Sequence, residues 1–164
     1  KETYGTAGYV CFAKGTLVYQ KDSFISIENI KVNDIVYSFN LETNKIELNR
    51  VVQTLKRDTN GIYEVIIGKE QIFVTAEHPF YVEGKGWITV KNLQVGENVK
   101  TSQNQSQSII RINKLSHKVT VYNIEVDGNH NYFVTSSSIL VHNKNITGLE
   151  TKVDKNKNEQ TNED

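Results

Sequence analysis

A thirteen-residue segment recurs within the chain. Phe24-Ile25-Ser26-Ile27-Glu28-Asn29-Ile30-Lys31-Val32-Asn33-Asp34-Ile35-Val36 aligns, 63 positions later, with Trp87-Ile88-Thr89-Val90-Lys91-Asn92-Leu93-Gln94-Val95-Gly96-Glu97-Asn98-Val99. Aromatic falls on aromatic, hydroxyl on hydroxyl, and Asn33 on Gly96, where a left-handed turn suits both residues. A second match, at an offset of 60, sets Gly68 to Thr75 (Gly-Lys-Glu-Gln-Ile-Phe-Val-Thr) against Gly128 to Thr135 (Gly-Asn-His-Asn-Tyr-Phe-Val-Thr). Two related halves imply a pseudo-two-fold fold.

The texture of those halves is that of β structure. Short runs of Val, Ile, Tyr and Phe recur between turn signals at Asn33-Asp34, Asn60-Gly61, Gly84-Lys85-Gly86 and Asp127-Gly128. The pattern predicts an all-β fold of many short strands, over 16–20, 35–39, 46–56, 62–67, 70–75, 108–116, 120–126, 131–135 and 139–141. Only Ser26 to Ile30 and Val90 to Leu93 suit a helical turn each, and the polar run Ser102 to Ser108 suits a surface loop. Residues 1–10 have the small, polar texture of a flanking linker, and 144–164 form a polar flank with too little apolar surface to offset the entropy of ordering it. The chain opens without Met inside that linker-like stretch, so it is expected to be cut from a longer protein.

Composition narrows the function. With 19 basic and 19 acidic residues interspersed, the chain has no basic field for nucleic acid or a membrane surface, and no apolar run long enough to span a bilayer. A single cysteine excludes an internal disulfide framework, and no CxxC or CxxxH spacing suggests a structural metal. No cofactor or metal is expected. Cys11 is either an inert buried thiol or a nucleophile.

The chemistry-bearing residues lie at the two ends and the middle. A thiolate at Cys11 can attack the Val10 carbonyl and convert the Val10-Cys11 amide to a thioester, if the site holds the oxyanion and protonates the departing nitrogen. Thr75 and His78, in Thr75-Ala76-Glu77-His78-Pro79, have the spacing for that work: Pro79 biases His78 away from helical geometry, so the two straddle a tight strand-end turn. At the other end, Asn143 can close a succinimide through its side-chain amide and free the amine of Lys144. His142 is adjacent to supply a proton or hold the oxyanion, and His130 is a second candidate if its strand folds alongside. Taken singly, each motif also suits a structural role: a small buried thiol, a strand-end turn with a surface histidine, an ordinary His-Asn turn. His117, without a partner in sequence, suits surface structure.

In combination, Cys-Phe-Ala-Lys-Gly-Thr from Cys11, Thr-Ala-Glu-His-Pro-Phe from Thr75, Val-Tyr-Asn-Ile-Glu-Val from Val121, Tyr-Phe-Val from Tyr132 and Leu-Val-His-Asn from Leu140 resemble, in order and spacing, the Hint superfamily of inteins and bacterial intein-like domains. The pre-toxin Hint domains of bacterial polymorphic toxins are the most similar in pattern. The resemblance spans residues 11–143 and implies a horseshoe-like, pseudo-two-fold all-β domain that cleaves its own chain. It makes Cys11 the N-terminal nucleophile, Thr75 and His78 its activators, His130 and His142 the helpers at the other junction, and Asn143 the cyclising residue. It further implies a secreted or surface-delivered bacterial parent with a toxin downstream, the flanking polypeptide as sole substrate, and a monomer.

Two departures qualify that expectation. Many inteins carry Asp where this chain has Asn123, and Asn cannot titrate; it can only hydrogen-bond. Splicing needs Cys, Ser or Thr after the terminal Asn, whereas here Lys144 follows, with an ammonium poorly suited to acyl transfer at neutral pH. Cleavage at one or both junctions is therefore expected in place of ligation, slower at the N-terminal one because β-branched Val10 crowds its own carbonyl. Two other functions fit the same residues: a Cys-His protease acting in trans, and an inactive Hint-fold spacer or binding module.

Overall fold

The computed structural model describes residues 10–144, whose regular secondary structure is almost entirely β-strand. These are β1 (Phe12–Ala13), β2 (Leu17–Tyr19), β3 (Phe24–Ser26), β4 (Ile35–Asn40), β5 (Lys45–Thr59), β6 (Ile62–Ile67), β7 (Glu70–Val74), β8 (Pro79–Val82), β9 (Gly86–Thr89), β10 (Asn98–Lys100), β11 (Ser106–Leu115), β12 (Val119–Val126), β13 (Asn131–Val134) and β14 (Ile139–His142). The two helical turns are 3-10 turns, Ile27–Asn29 and Val90–Asn92. All pairings are antiparallel, in one open sheet ordered β3-β2-β13-β14-β8-β10-β11-β6-β7-β1-β12-β5-β4, with β9 added on β8.

The internal repeat governs this path. After each 3-10 turn the chain bends through Asn33 (φ 81°) or Gly96 (φ 97°), the left-handed pair expected from the alignment. In both halves an acidic side chain closes the bend: Asp34 Oδ2 accepts from Lys31 N at 2.9 Å, and Glu97 Oε1 from Gln94 N at 2.8 Å. Each bend then docks on a long strand, Asn33 N donating to Val51 O and Gly96 N to Ile109 O, both at 2.8 Å. There each long strand changes partner. Up to Arg50, β5 pairs with β4 and from Val51 with β12; β11 pairs with β10 up to Ser108 and with β6 from Ile109. The result is an all-β, pseudo-two-fold architecture.

Five strands are absent from the sequence expectation: β1, β3, β8, β9 and β10. Each has two to four residues, too few to show a period-two pattern. The polar run also ends earlier than expected, because Ser106, Gln107 and Ser108 pair with Lys100, Val99 and Asn98. Tertiary pairing overrides local polarity there. The main core cluster, which includes Phe12, Val51, Ile72, Phe80, Tyr132 and Val141, is drawn from both halves, and two smaller clusters gather around Cys11, Ile62 and Val121 and around Phe39, Phe133 and Leu140. Among the described residues no helix is long and apolar enough to cross a membrane. Residues 1–9 and 145–164, and so most of both expected flanks, lie outside the described residues.

Candidate functional site

The two peptides expected to react, Val10-Cys11 and Asn143-Lys144, both lie beside His78. β1 lies between β12 and β7, with Phe12 opposite Tyr122 and Val74, so Cys11 enters beside the strand end that carries Thr75. Cys11 N–H donates to Thr75 Oγ1 at 2.9 Å, and Cys11 O accepts from Thr75 N at 3.0 Å. Thr75 thus grips the nitrogen of the Val10-Cys11 peptide from its own turn, which closes with His78 N–H donating to Thr75 O at 3.2 Å. Val10, Cys11, Thr75 and His78 are all buried. Burial pushes the Cys11 thiol up to about 12, against an opposing pull from the Arg57 guanidinium and the Val10 backbone, so the resting sulfur is a thiol.

His78 connects the two junctions. It precedes β8, which pairs with β14 through Phe80 and Val141, and its ring packs 4.1 Å from that of Phe12. Burial drives its pKa down to about 3, opposed by the nearby backbones of Cys11 and His142 and reinforced by the His142 imidazole. Neither ring nitrogen completes a hydrogen bond among the described residues.

The Asn143-Lys144 peptide is held at both its oxygen and its nitrogen, and the Asn143 side chain is held beside it. Its carbonyl oxygen accepts from Asn123 Nδ2 at 3.0 Å. Its nitrogen, on Lys144, donates at 3.1 Å to His142 Nδ1 in the tautomer that leaves that atom unprotonated, and in the other tautomer the same Nδ1 donates to Lys144 O at 3.2 Å. The Asn143 side-chain nitrogen donates to Val126 O at 3.1 Å, while its Oδ1 is buried without a partner among the described residues. His142 stands edge-on to Trp87, 4.9 Å between ring centroids. Burial first, then His130, lowers the His142 pKa to about 3. His130 reaches Asn143 through its backbone: its φ is 57° and its carbonyl accepts Asn143 N–H at 2.9 Å, while its Nδ1 is buried and unpartnered among the described residues. His117 is exposed, away from all of this.

The structure therefore brings together Cys11, Thr75 and His78 at one peptide and His142, Asn143, Asn123 and the backbone of His130 at the other. Sequence reasoning missed Val126, Tyr132 and Glu125. Val126 acts through its carbonyl and leaves no side-chain signal. Glu125 Oε2 receives Lys144 Nζ at 3.3 Å, a pair set by β12 and invisible in a charge count. Tyr132 was detectable, because the residue aligned with it in the repeat is Ile72, which has no hydroxyl.

The two neutral histidines set a pH dependence of stability. Their folded pKa values of about 3 lie below the unfolded 6.5, so unfolding takes up protons as the pH falls between those values. Their contribution is full above 6.5 and is lost through that window, by up to about 1.4 kcal/mol per pH unit for each histidine. Urea midpoints measured from pH 7.5 to 4 are expected to fall, with His78→Gln giving a shallower slope than the parent chain. Equal slopes would show that His78 is already charged in the folded protein.

The pretoxin Hint domain profile matches residues 17–144. The chain belongs to the pretoxin Hint family. This Hint domain is similar in structure to the bacterial intein-like domain from Clostridium thermocellum, with 34% identity and a TM-score of 0.80 over 82% of this chain and 99% of that one. It is also similar to a DnaB intein from Synechocystis sp., with 20% identity and a TM-score of 0.73 over 84% and 99% of the two chains. A third likeness is to the DnaX mini intein from Spirulina platensis, with 24% identity and a TM-score of 0.68 over 81% and 99%. The two inteins share the fold alone at that identity. No curated protein matches the chain. Family and fold are those of an autoprocessing-type domain.

Proposed function

We propose that this Hint domain cleaves its own chain on both sides, chiefly after Asn143. The observation that carries the proposal is that the Asn143-Lys144 peptide is held at its oxygen and nitrogen while the Asn143 side-chain amide is held beside it. Asn143 Nδ2 attacks its own backbone carbonyl carbon and closes a succinimide. Charge then develops on the carbonyl oxygen, where the Asn123 amide already donates in a site without water competition. The proton leaving Nδ2 passes to His142 Nδ1 and on to the Lys144 nitrogen, the carbon–nitrogen bond breaks, and Lys144 departs as an amine.

At the upstream junction Cys11 Sγ attacks the Val10 carbonyl, the Cys11 nitrogen takes a proton through Thr75 and His78, and water or an added thiol opens the thioester. The Cys11 thiol must first lose a proton that burial holds tightly, and Val10 is β-branched and buried. That junction is the slower. The residue directly after Asn143 is Lys144, without a thiol or hydroxyl to receive an acyl group, and its ammonium is engaged with Glu125, so cleavage replaces splicing. The pretoxin family supports a toxin-type parent. The proposal extends to a secreted bacterial parent whose released downstream segment is a toxin, with the domain acting as a monomer on its own flanks, without nucleic acid or membrane.

A protease acting in trans needs a reachable thiol, whereas Cys11 is 2% exposed and His78 fully enclosed. Intact mass spectrometry during incubation decides between these functions. Self-cleavage releases residues 144–164 with a dehydrated Asn143, at a rate unchanged by tenfold dilution. A rate that falls with dilution would indicate action in trans, and an unchanging mass the inactive spacer.

A further inference from the structure

We propose that Tyr132 is a positioning residue for cleavage after Asn143, its phenol fixing the Asn123 amide with the NH2 end toward the Asn143 carbonyl. The inference rests on the succinimide reaction proposed above.

Three observations carry it. First, the contacts form a continuous buried line: Tyr132 Oη donates to Asn123 Oδ1 at 2.8 Å, and Asn123 Nδ2 donates to Asn143 O at 3.0 Å. Tyr132 is fully enclosed and Asn123 nearly so. Second, only one arrangement satisfies every group. The Asn143 carbonyl can only accept, so it requires the Asn123 NH2; the phenol hydrogen then needs an acceptor, and Asn123 Oδ1 is the one it meets. Without the hydroxyl, Oδ1 is left buried and unpaired, and the amide loses the contact that opposes rotation away from the carbonyl. A donor to Oδ1 also polarises the amide, making its NH2 a stronger donor as negative charge builds on Asn143 O.

Third, the internal repeat supplies a control within the same molecule. Tyr132 on β13 aligns with Ile72 on β7, and both side chains are buried in the main core cluster. The fold is therefore satisfied by an apolar residue at that place. The same comparison holds at the turn that follows: Thr75 and His78 align with Thr135 and Ser138, with matching bonds from Thr75 N to Cys11 O and Thr135 N to Leu17 O. The backbone is duplicated while each half carries different polar groups, and the Tyr132 hydroxyl belongs to the half that holds Asn143.

The test uses the full 164-residue chain. In the Asn143→Ala chain, which keeps the residue-143 carbonyl but cannot cyclise, hydrogen exchange at the Asn123 side-chain NH2 is followed by NMR with and without Tyr132→Phe. At least about a tenfold loss of protection at that NH2, with backbone protection retained, is expected. Unchanged protection overturns the proposal. In the chain with Asn143 present, Tyr132→Phe is expected to slow release of residues 144–164 about fivefold to tenfold, and to have less than about a twofold effect in an Asn123→Leu background. An unaltered rate, or equal slowing in both backgrounds, also overturns it. A parent chain that releases nothing would refute the cleavage reaction itself, while the exchange comparison would still decide the role of Tyr132.

Discussion

The Asn143→Ala chain is expected to retain residues 144–164 for as long as the protein stays folded, while the parent chain loses them. Alanine keeps the backbone carbonyl and its bond from Asn123 but removes the attacking nitrogen, so no ring can close. The companion variant is Asn123→Leu, similar in size but without a donor. It leaves the nucleophile in place and removes the preorganised hydrogen bond to the developing oxyanion, a loss of about 100-fold in rate for one such donor. Time courses by intact mass spectrometry measure both effects. Tail release from Asn143→Ala would move the scissile chemistry to another residue. A rate for Asn123→Leu within a fewfold of the parent would show that the 3.0 Å bond to the carbonyl is a ground-state contact with no catalytic share.

At the upstream end, Cys11→Ala is expected to abolish release of the upstream flank by added thiol, and to leave cleavage after Asn143 intact, because no bond at Asn143 depends on the sulfur. Thr75→Val keeps the shape of the turn and removes the hydroxyl that faces the scissile nitrogen at 2.9 Å. The thiol-induced reaction should slow at least about 100-fold, the usual contribution of a positioned proton carrier. Stability should also fall by about 1–3 kcal/mol, since the buried Cys11 N–H loses its partner. Dithiothreitol-induced release and urea unfolding separate these two consequences. If Thr75→Val loses stability but not rate, Thr75 is a structural clamp and His78 alone serves the nitrogen.

Much of the site was legible because its chemistry is tied to particular side chains. A lone thiol after a flank, a Thr-x-x-His turn and a terminal His-Asn each limit what the adjacent peptide can undergo, and their order along the chain narrows this further. What was not legible was the division of labour. His142 seemed equally able to hold the oxyanion or protonate the leaving group, and the structure puts it beside the Lys144 nitrogen and Asn123 beside the Asn143 carbonyl. Asn123 lies 20 residues from Asn143, and no periodicity predicts that contact. The short strands escaped for a related reason: β8 exists because Phe80 is paired by both β9 and β14, a property of its neighbours and not of its own four residues.

The sequence by itself determined the architecture and the reactive groups. The repeat required a two-fold path, and the left-handed bends at Asn33 and Gly96 follow from residues that tolerate positive φ where a branched side chain does not. Tertiary structure alone decided which hydrogen bond each group makes and how strongly it is charged. Those outcomes depend on contacts between distant strands and on the exclusion of water, which hold Cys11 as a thiol, keep His78 and His142 neutral, and turn an untitratable Asn123 into a donor aimed at the Asn143 carbonyl.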